Sequence, residues 1–272
     1  MQESREWTPP GGTLGEILAE TRRRVALLEG DRGPRELKPG ARPYFDRPPR
    51  LDAALRRSTV AVIAEVKRRS PSRGPLNPRL SSGEQAARFE RGGAAAISVL
   101  TEPTRFGGSL DDLREAALHS RLPLIKKDFH VSPLQLREAG DASAMLLIAR
   151  ALPPGELFMM LQVLDGVIET VVEVRSESEL ALALELGARI VGVNARDLES
   201  LEVDTAVPER LVPMIPPDVI AIWESGVSTR DDVERAAAAG VDAVLVGSAL
   251  SLAEDPERLL ATLTTVPRRP RG

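Results

Sequence analysis

Several charged residues of this chain stand where charge is costly, at the ends of short, otherwise apolar runs. Glu65 and Lys67 close the run that starts at Val60, and Lys126-Lys127-Asp128 close the one that starts at Leu122. Glu173 lies near the end of a third, and Asn194 with Arg196, Glu224-Ser225-Gly226 and Gly247-Ser248 follow three more. Side chains alternate faces along a strand, so Ile63, Glu65 and Lys67 share one face and Val171 shares one with Glu173. Glu65, Lys67, one of Lys126 and Lys127, Glu173 and Glu224 are therefore expected to converge. Carboxylates and ammonium groups held together in apolar surroundings shift one another's pKa, which suits proton transfer. The two Gly-Ser steps suit a different task. Ser225, Gly226, Gly247 and Ser248 can bring backbone N–H groups, and the start of a short helix, up to an anion such as phosphate.

Composition narrows the chemistry further. The chain has no Cys and two His, so thiolate chemistry is excluded and a histidine metal site has little to draw on. Neither a metal nor a redox cofactor is expected. A net charge of -4 on 272 residues argues against nucleic acid or an anionic membrane as the main partner. The first ten residues are polar and no apolar run approaches a membrane span, so a cytoplasmic protein is expected. Of 36 basic residues only four are Lys: Lys38, Lys67, Lys126 and Lys127. A Lys kept in so Arg-rich a chain is a candidate for work that an ammonium does and a guanidinium cannot, such as giving up a proton.

These residues need a scaffold that delivers strand ends to one place. From Val60 onward, β-branched runs at 60–66, 95–100, 122–127, 143–148, 168–174, 189–193, 218–223 and 242–247 alternate with helical patterns near 82–91, 110–119, 132–139, 155–164, 177–186, 205–212, 229–239 and 255–264. Apolar strands joined by helices imply a parallel sheet, and eight such units imply an α/β fold of the (β/α)8 TIM-barrel type. Gly92, Gly140, Gly187 and Gly240 each sit between a helix and the next strand, where a left-handed cap turns the chain back. An open doubly wound sheet would instead need a Gly-rich turn after the first strand, and Lys67-Arg68-Arg69-Ser70-Pro71 is not one. Residues 1–59 read as a helical extension packed on the barrel, 60–265 as the catalytic barrel and 266–272 as a flexible, solvated tail. Within the extension, Thr13 and Glu16 have the spacing of a capping box, and Leu14, Ile17, Leu18, Val25 and Leu28 trace one apolar stripe. Residues 30–50, rich in Gly, Pro and Arg, read as a connector, and Leu51 to Leu55 as a short helix.

The stretch Val62-Ile63-Ala64-Glu65-Val66-Lys67-Arg68-Arg69-Ser70-Pro71-Ser72 resembles the signature of indole-3-glycerol-phosphate synthases, (β/α)8-barrel lyases of tryptophan biosynthesis. The resemblance continues through Ala96 to Glu102, Phe106-Gly107-Gly108-Ser109, Lys127-Asp128-Phe129, Val172-Glu173-Val174, Gly192 to Leu198, Glu224 to Val227 and Val246-Gly247-Ser248. It implies ring closure, decarboxylation and dehydration of 1-(2-carboxyphenylamino)-1-deoxyribulose 5-phosphate, a small phosphorylated aromatic amino-sugar; a monomer is compatible with this. It implies that Lys127, with a lowered pKa, protonates the ketone oxygen, and that Glu173 serves the later dehydration; how Glu65 and Lys67 share the acid and base roles is left open. Asn194 and Glu224, with Arg196 near them, would orient substrate, and Ser70 and Lys67 would face its anions. Ser225, Gly226, Gly247 and Ser248 would hold phosphate, while Phe106, Phe129 and Leu198 would pack on the aromatic ring.

Three positions depart from the family pattern. Trp223 stands where a smaller residue is usual, and alternation turns it toward the helices. His130 replaces an aliphatic residue and is expected to be a solvated loop residue without a role. The segment from Leu136 to Ala142 is short. Two rivals remain: another phosphate-binding barrel, such as a phosphoribosylanthranilate isomerase, whose chemistry wants a Cys, and a silent barrel that serves as a binding protein.

Overall fold

A computed structural model describes residues 7–30, 48–77 and 81–271. Among them, eight parallel strands close into a barrel: β1 (Ala61–Val66), β2 (Ala96–Leu100), β3 (Leu124–Lys127), β4 (Ala144–Ile148), β5 (Glu169–Val174), β6 (Ile190–Asn194), β7 (Ile220–Glu224) and β8 (Ala243–Val246). Neighbours in sequence pair in the sheet, and β8 returns to β1 with Ala61 opposite Ala243. This is the expected TIM barrel. Most strands start a residue or two later than the apolar runs, and β6 and β7 run on to include Asn194 and Glu224.

Local chemistry fixes where the outer helices begin. Ser81, Ser109, Ser176 and Thr229 each accept the N–H three residues on, starting Ser82–Arg91, Leu110–His119, Glu177–Glu185 and Arg230–Ala239. Gly240 ends the last of these in the left-handed conformation, as expected; after Ser82–Arg91 it is Gly93 and not Gly92 that takes it. The pattern near 132–139 forms a 3-10 helix, Pro133–Glu138, rather than an α-helix. The crossover is short, Pro133 starts it, and Gln135 folds back onto the N–H groups of Val131 and Ser132.

Apolar packing forms two layers. Outward-facing strand residues such as Val62, Ile97, Met145, Val172, Val191 and Trp223 meet the helices. Trp223 is buried there, as alternation requires, and its indole N–H donates to Ser225 O. Inward-facing residues, including Ile63, Ile125, Leu146, Val171 and Ile222, fill the barrel, which Leu51 and Leu55 close at one end. Helix α1 (Gly12–Gly30) covers the other end with Leu14, Ile17 and Leu18. The proposed capping box does not form, because the helix begins before Thr13. Glu199, in the loop after β6, caps it instead: its carboxylate accepts the Gly11 N–H at 3.0 Å and its carbonyl the Thr13 N–H at 3.2 Å. Glu16 pairs with Arg105 at 2.7 Å. Most of the 30–50 connector lies outside the described residues.

The C-terminal segment departs from the expected solvated tail. Val266 O accepts the Val60 N–H at 2.8 Å, and the Arg268 N–H donates to Ser58 O at 2.9 Å. Arg271 is 3% exposed in its side chain and lies 2.9 Å from Asp242, which Arg268 also contacts. The cause is electrostatic. Asp242 is buried at the start of β8, and the two arginines supply the charge that its burial demands.

Replacing Asp242 with Ala would strand the Arg271 guanidinium and should cost about 3 kcal/mol, the usual penalty for breaking a buried pair. In thermal melting that is a fall of roughly 6–12 °C. An unchanged melting temperature would contradict the clamp.

Candidate active site

At the α1-covered end of the barrel the strand termini bring the expected charges together. Lys127 on β3 points inward and donates to Glu224 on β7 at 3.0 Å, and it lies 3.2 Å from Glu65 on β1. Lys67 holds the other oxygen of Glu65 at 2.7 Å. Glu173 on β5 accepts from the Asn194 amide at 3.0 Å, and Asn194 stands opposite Glu224 in the β6–β7 register. Alternation sets the two lysines on opposite faces and the register decides between them: Lys126 pairs with the outward-facing Val99, so Lys127 faces the barrel and Lys126 faces away.

The charge balance explains the protonation states. Burial alone would raise the Glu65 pKa, but Lys127 and Lys67 outweigh it and hold Glu65 ionised, at about 2. Burial also raises Glu173, and the neighbouring Glu224 raises it further, so that Lys127 and the Asn194 amide only partly offset them and the pKa rises to about 8. The expectation of a weakened Lys127 is overturned. Burial does favour the neutral amine, but Glu224, Glu65 and Glu173 together push its pKa up, so the ammonium stays charged.

Two glycines make room for this arrangement. A Cβ on Gly192 would overlap the Glu224 carboxylate, and one on Gly247 would overlap that of Glu65 and lie 2.9 Å from the Lys67 ammonium. Gly247 thus sits against the charged network as well as beside Ser248, which starts the short helix Ser248–Leu252. Ser225 and Gly226 follow β7 with φ of 67° and 80°, two successive left-handed residues that turn the chain sharply at the mouth. Ser251 ties this side to the loop after β1 by donating to Lys67 O at 2.8 Å.

Phe106, Phe129 and Leu198, expected to face an aromatic ring, share the inner cluster. Phe106 and Phe129 stand with ring centroids 6.2 Å apart, and Leu198 packs against the same inner cluster. Arg196 spans two loops, donating to Leu201 O at 2.7 Å and to the Ser72 hydroxyl at 3.3 Å, while its N–H holds Asn194 Oδ1. Ser70 lies apart from the charged cluster. It is buried in the small hairpin Arg69–Ser70 and Gly74–Pro75, where its hydroxyl accepts the Arg73 N–H.

Sequence reasoning passed over some contributors. A cavity of about 130 Å³ beside Glu173 is lined by Leu14, Ile148, Arg150, Arg196 and Leu198, among others. Arg150 binds Glu199 and Thr8 O, joining the loops after β4 and β6 to the segment before α1. Its place just past β4 was the available signal. Glu102, just past β2, is another: its carboxylate accepts the N–H groups of Thr104, Arg105 and Phe106 and so shapes the loop that carries the Phe106 ring.

Comparison with known proteins agrees with this geometry. Residues 14–263 match the family model described as indole-3-glycerol phosphate synthase. An indole-3-glycerol phosphate synthase of a Parafrankia species is 43% identical over 94% of this chain and 97% of its own length. That of Mycobacterium ulcerans is 44% identical over 96% and 97%, and that of Dehalococcoides mccartyi 46% identical over 76% and 83%. Among solved structures, a thiamine phosphate pyrophosphorylase from Pyrococcus furiosus superimposes with a TM-score of 0.56 at 19% identity, covering 77% of this chain and 95% of its own, a likeness of fold alone. With a family match across almost the whole barrel and relatives this similar over nearly their full length, the chain belongs to the indole-3-glycerol phosphate synthase family.

Proposed function

We propose that Lys127, Glu173, Glu65 and Lys67 divide between them the proton transfers and anion contacts of the family reaction. That reaction, and this chain's as a carboxy-lyase of tryptophan biosynthesis, converts 1-(2-carboxyphenylamino)-1-deoxyribulose 5-phosphate to indole-3-glycerol phosphate with loss of carbon dioxide and water. The observation that carries the assignment is the Glu224–Lys127–Glu65–Lys67 chain, which keeps one ammonium loaded at the centre of the mouth.

Ring closure needs an aromatic carbon held against a ketone, so positioning supplies much of the rate. Phe106, Phe129 and Leu198 form the apolar wall for the ring, and Gly226, Gly247 and Ser248, with Ser225, take the phosphate. Lys67, beside Gly247, reaches the substrate anions from the same side. Ser70 supports them through the hairpin turn that it holds.

As the carbon–carbon bond forms, the ketone oxygen gains charge and Lys127 delivers its proton there. A Lys with a raised pKa is a reluctant acid toward water but not toward a developing alkoxide. Glu224 and Asn194 meet the substrate hydroxyl and amine groups, with Arg196 fixing Asn194. When Glu224 turns to the substrate, its hold on the Lys127 proton weakens. Loss of carbon dioxide then restores the aromatic ring with no electron sink. Glu173, largely protonated near neutral pH, hands a proton to the departing hydroxyl and, once ionised, accepts one from the intermediate. Glu65 keeps both lysines charged. A single chain carries all of these groups, so a monomer suffices, and the cytoplasm is the expected compartment.

The purified protein should produce indole-3-glycerol phosphate, detected by its fluorescence, without added metal. Lys127→Met should lower kcat by about 10³-fold or more, the general acid together with its charge being lost. Full turnover by that variant would reject the role of Lys127. Gly192→Ala should displace the Glu224 carboxylate and reduce kcat by about 10²-fold while the protein still melts cooperatively.

Glu173 predicts a pH effect on stability. Its pKa is raised on folding from an ordinary 4.5 to about 8, so its contribution is complete below pH 4.5 and is lost as pH rises through about 8. Between pH 6 and pH 9 the melting temperature should therefore fall less in Glu173→Gln than in the unsubstituted chain. Equal falls would show that Glu173 ionises normally.

A further inference from the structure

A second cluster of buried titratable groups lies behind the mouth and takes no part in the chemistry above. Lys126, turned away from the barrel axis, is fully buried, with its ammonium 3.1 Å from His130 Nε2, 3.5 Å from Asp128 and 3.6 Å from Glu138. His130 is not the solvated loop residue expected from sequence. Its ring is buried and its Nδ1 stands 2.6 Å from Leu146 O. A carbonyl only accepts, so Nδ1 carries the hydrogen and Nε2 turns its lone pair to the Lys126 ammonium. Burial, with Lys126 alongside, pushes the His130 pKa down to about 3, so the ring remains neutral and keeps that lone pair. Asp128 accepts the Phe129 N–H at 2.8 Å, the Thr101 hydroxyl at 2.9 Å and the Arg24 guanidinium of α1 at 3.0 Å. Gln135 donates to Phe129 O at 3.2 Å.

The place of this cluster gives it a purpose. The β3–β4 ladder ends at Lys126 opposite Met145, whereas β4 continues beside β5 as far as Ile148 opposite Glu173. Lys127 and Phe129 therefore project from backbone that the sheet no longer holds on its β4 side. The imidazole takes the next β4 carbonyl, Leu146 O, and its other nitrogen holds the side chain of Lys126, the residue immediately before Lys127. Each member of the couple is thus one residue away from a wall of the site.

We propose that Lys126 and His130 act as a positioning couple for ring closure, extending the β3–β4 connection past the last ladder pair and so fixing the Lys127 ammonium and the Phe129 ring. This rests on the reading of Lys127 as the proton donor and Phe129 as part of the ring wall. Neither Lys126 nor His130 touches the substrate in this arrangement. An aliphatic residue at 130 would leave Leu146 O without the imidazole donor and the Lys126 ammonium with only its two longer contacts.

His130→Leu removes both contacts, and His130→Asn keeps a donor for Leu146 O while giving up the lone pair offered to Lys126. Steady-state kinetics by product fluorescence, on protein shown by melting to be folded at the assay temperature, should give a kcat lower by about tenfold or more in both, with KM changed less than about threefold. That split is expected because the phosphate loops, across the barrel, are undisturbed. Should the Leu variant fail to fold, the Asn variant decides alone. A kcat within about twofold of the unsubstituted chain in the folded variants, or a loss confined to KM, overturns the proposal. Lys127→Met, assayed alongside, separates the two readings. If it abolishes turnover while the His130 variants remain fully active, only the positioning couple is wrong; if it remains active, the role of Lys127 falls, and the couple with it.

Discussion

The mouth of this barrel is organised by a problem of charge compensation. Two ammonium groups and three carboxylates are carried on strand ends that are otherwise apolar, where an unpaired charge would cost several kcal/mol. Lys67 and Lys127 balance Glu65 and Glu224 in one continuous chain of contacts. Glu173 is the carboxylate left over, and its raised pKa is the physical consequence. A charged ammonium and a largely protonated carboxyl are thus obtained within one site from ordinary Lys and Glu, differing only in their neighbours. The Lys127 ammonium keeps its proton because carboxylates surround it, whereas burial alone would weaken its hold.

The scaffold answers the same problem at several distances. Gly192 and Gly247 clear the volume that the Glu224 and Glu65 carboxylates occupy, so two small residues on β6 and after β8 are as much a part of the charged layer as the ionised groups. Below that layer, Ile63, Ile125, Val171 and Ile222 fill the barrel and keep the surroundings apolar. Above it, α1 lays Leu14, Ile17 and Leu18 over the opening and is itself capped by Glu199 from the loop after β6. At the far end, Asp242 with Arg268 and Arg271 repeats the pattern of a buried carboxylate and its cations, here to fasten the chain terminus beneath β8.

Strand order, approximate strand ends and the residue types gathered there were legible along the chain, because period-two alternation and the cost of burying charge act locally. Glu65, Lys67, Glu173 and Glu224 were legible as a converging set for that reason, and Trp223 as a residue packed on the helices. Properties set by neighbours distant in the chain came only with the folded barrel. Lys127 rather than Lys126 faces the site because of the register with β2 and β4. The Lys127 pKa rises because carboxylates arrive from β1, β5 and β7, whereas burial, the influence readable from an apolar run, would have lowered it. The cap on α1 supplied by Glu199, the buried His130 and the pinned tail share that origin. Each depends on a partner brought close only by closure of the barrel, and a pattern read along one segment does not contain it.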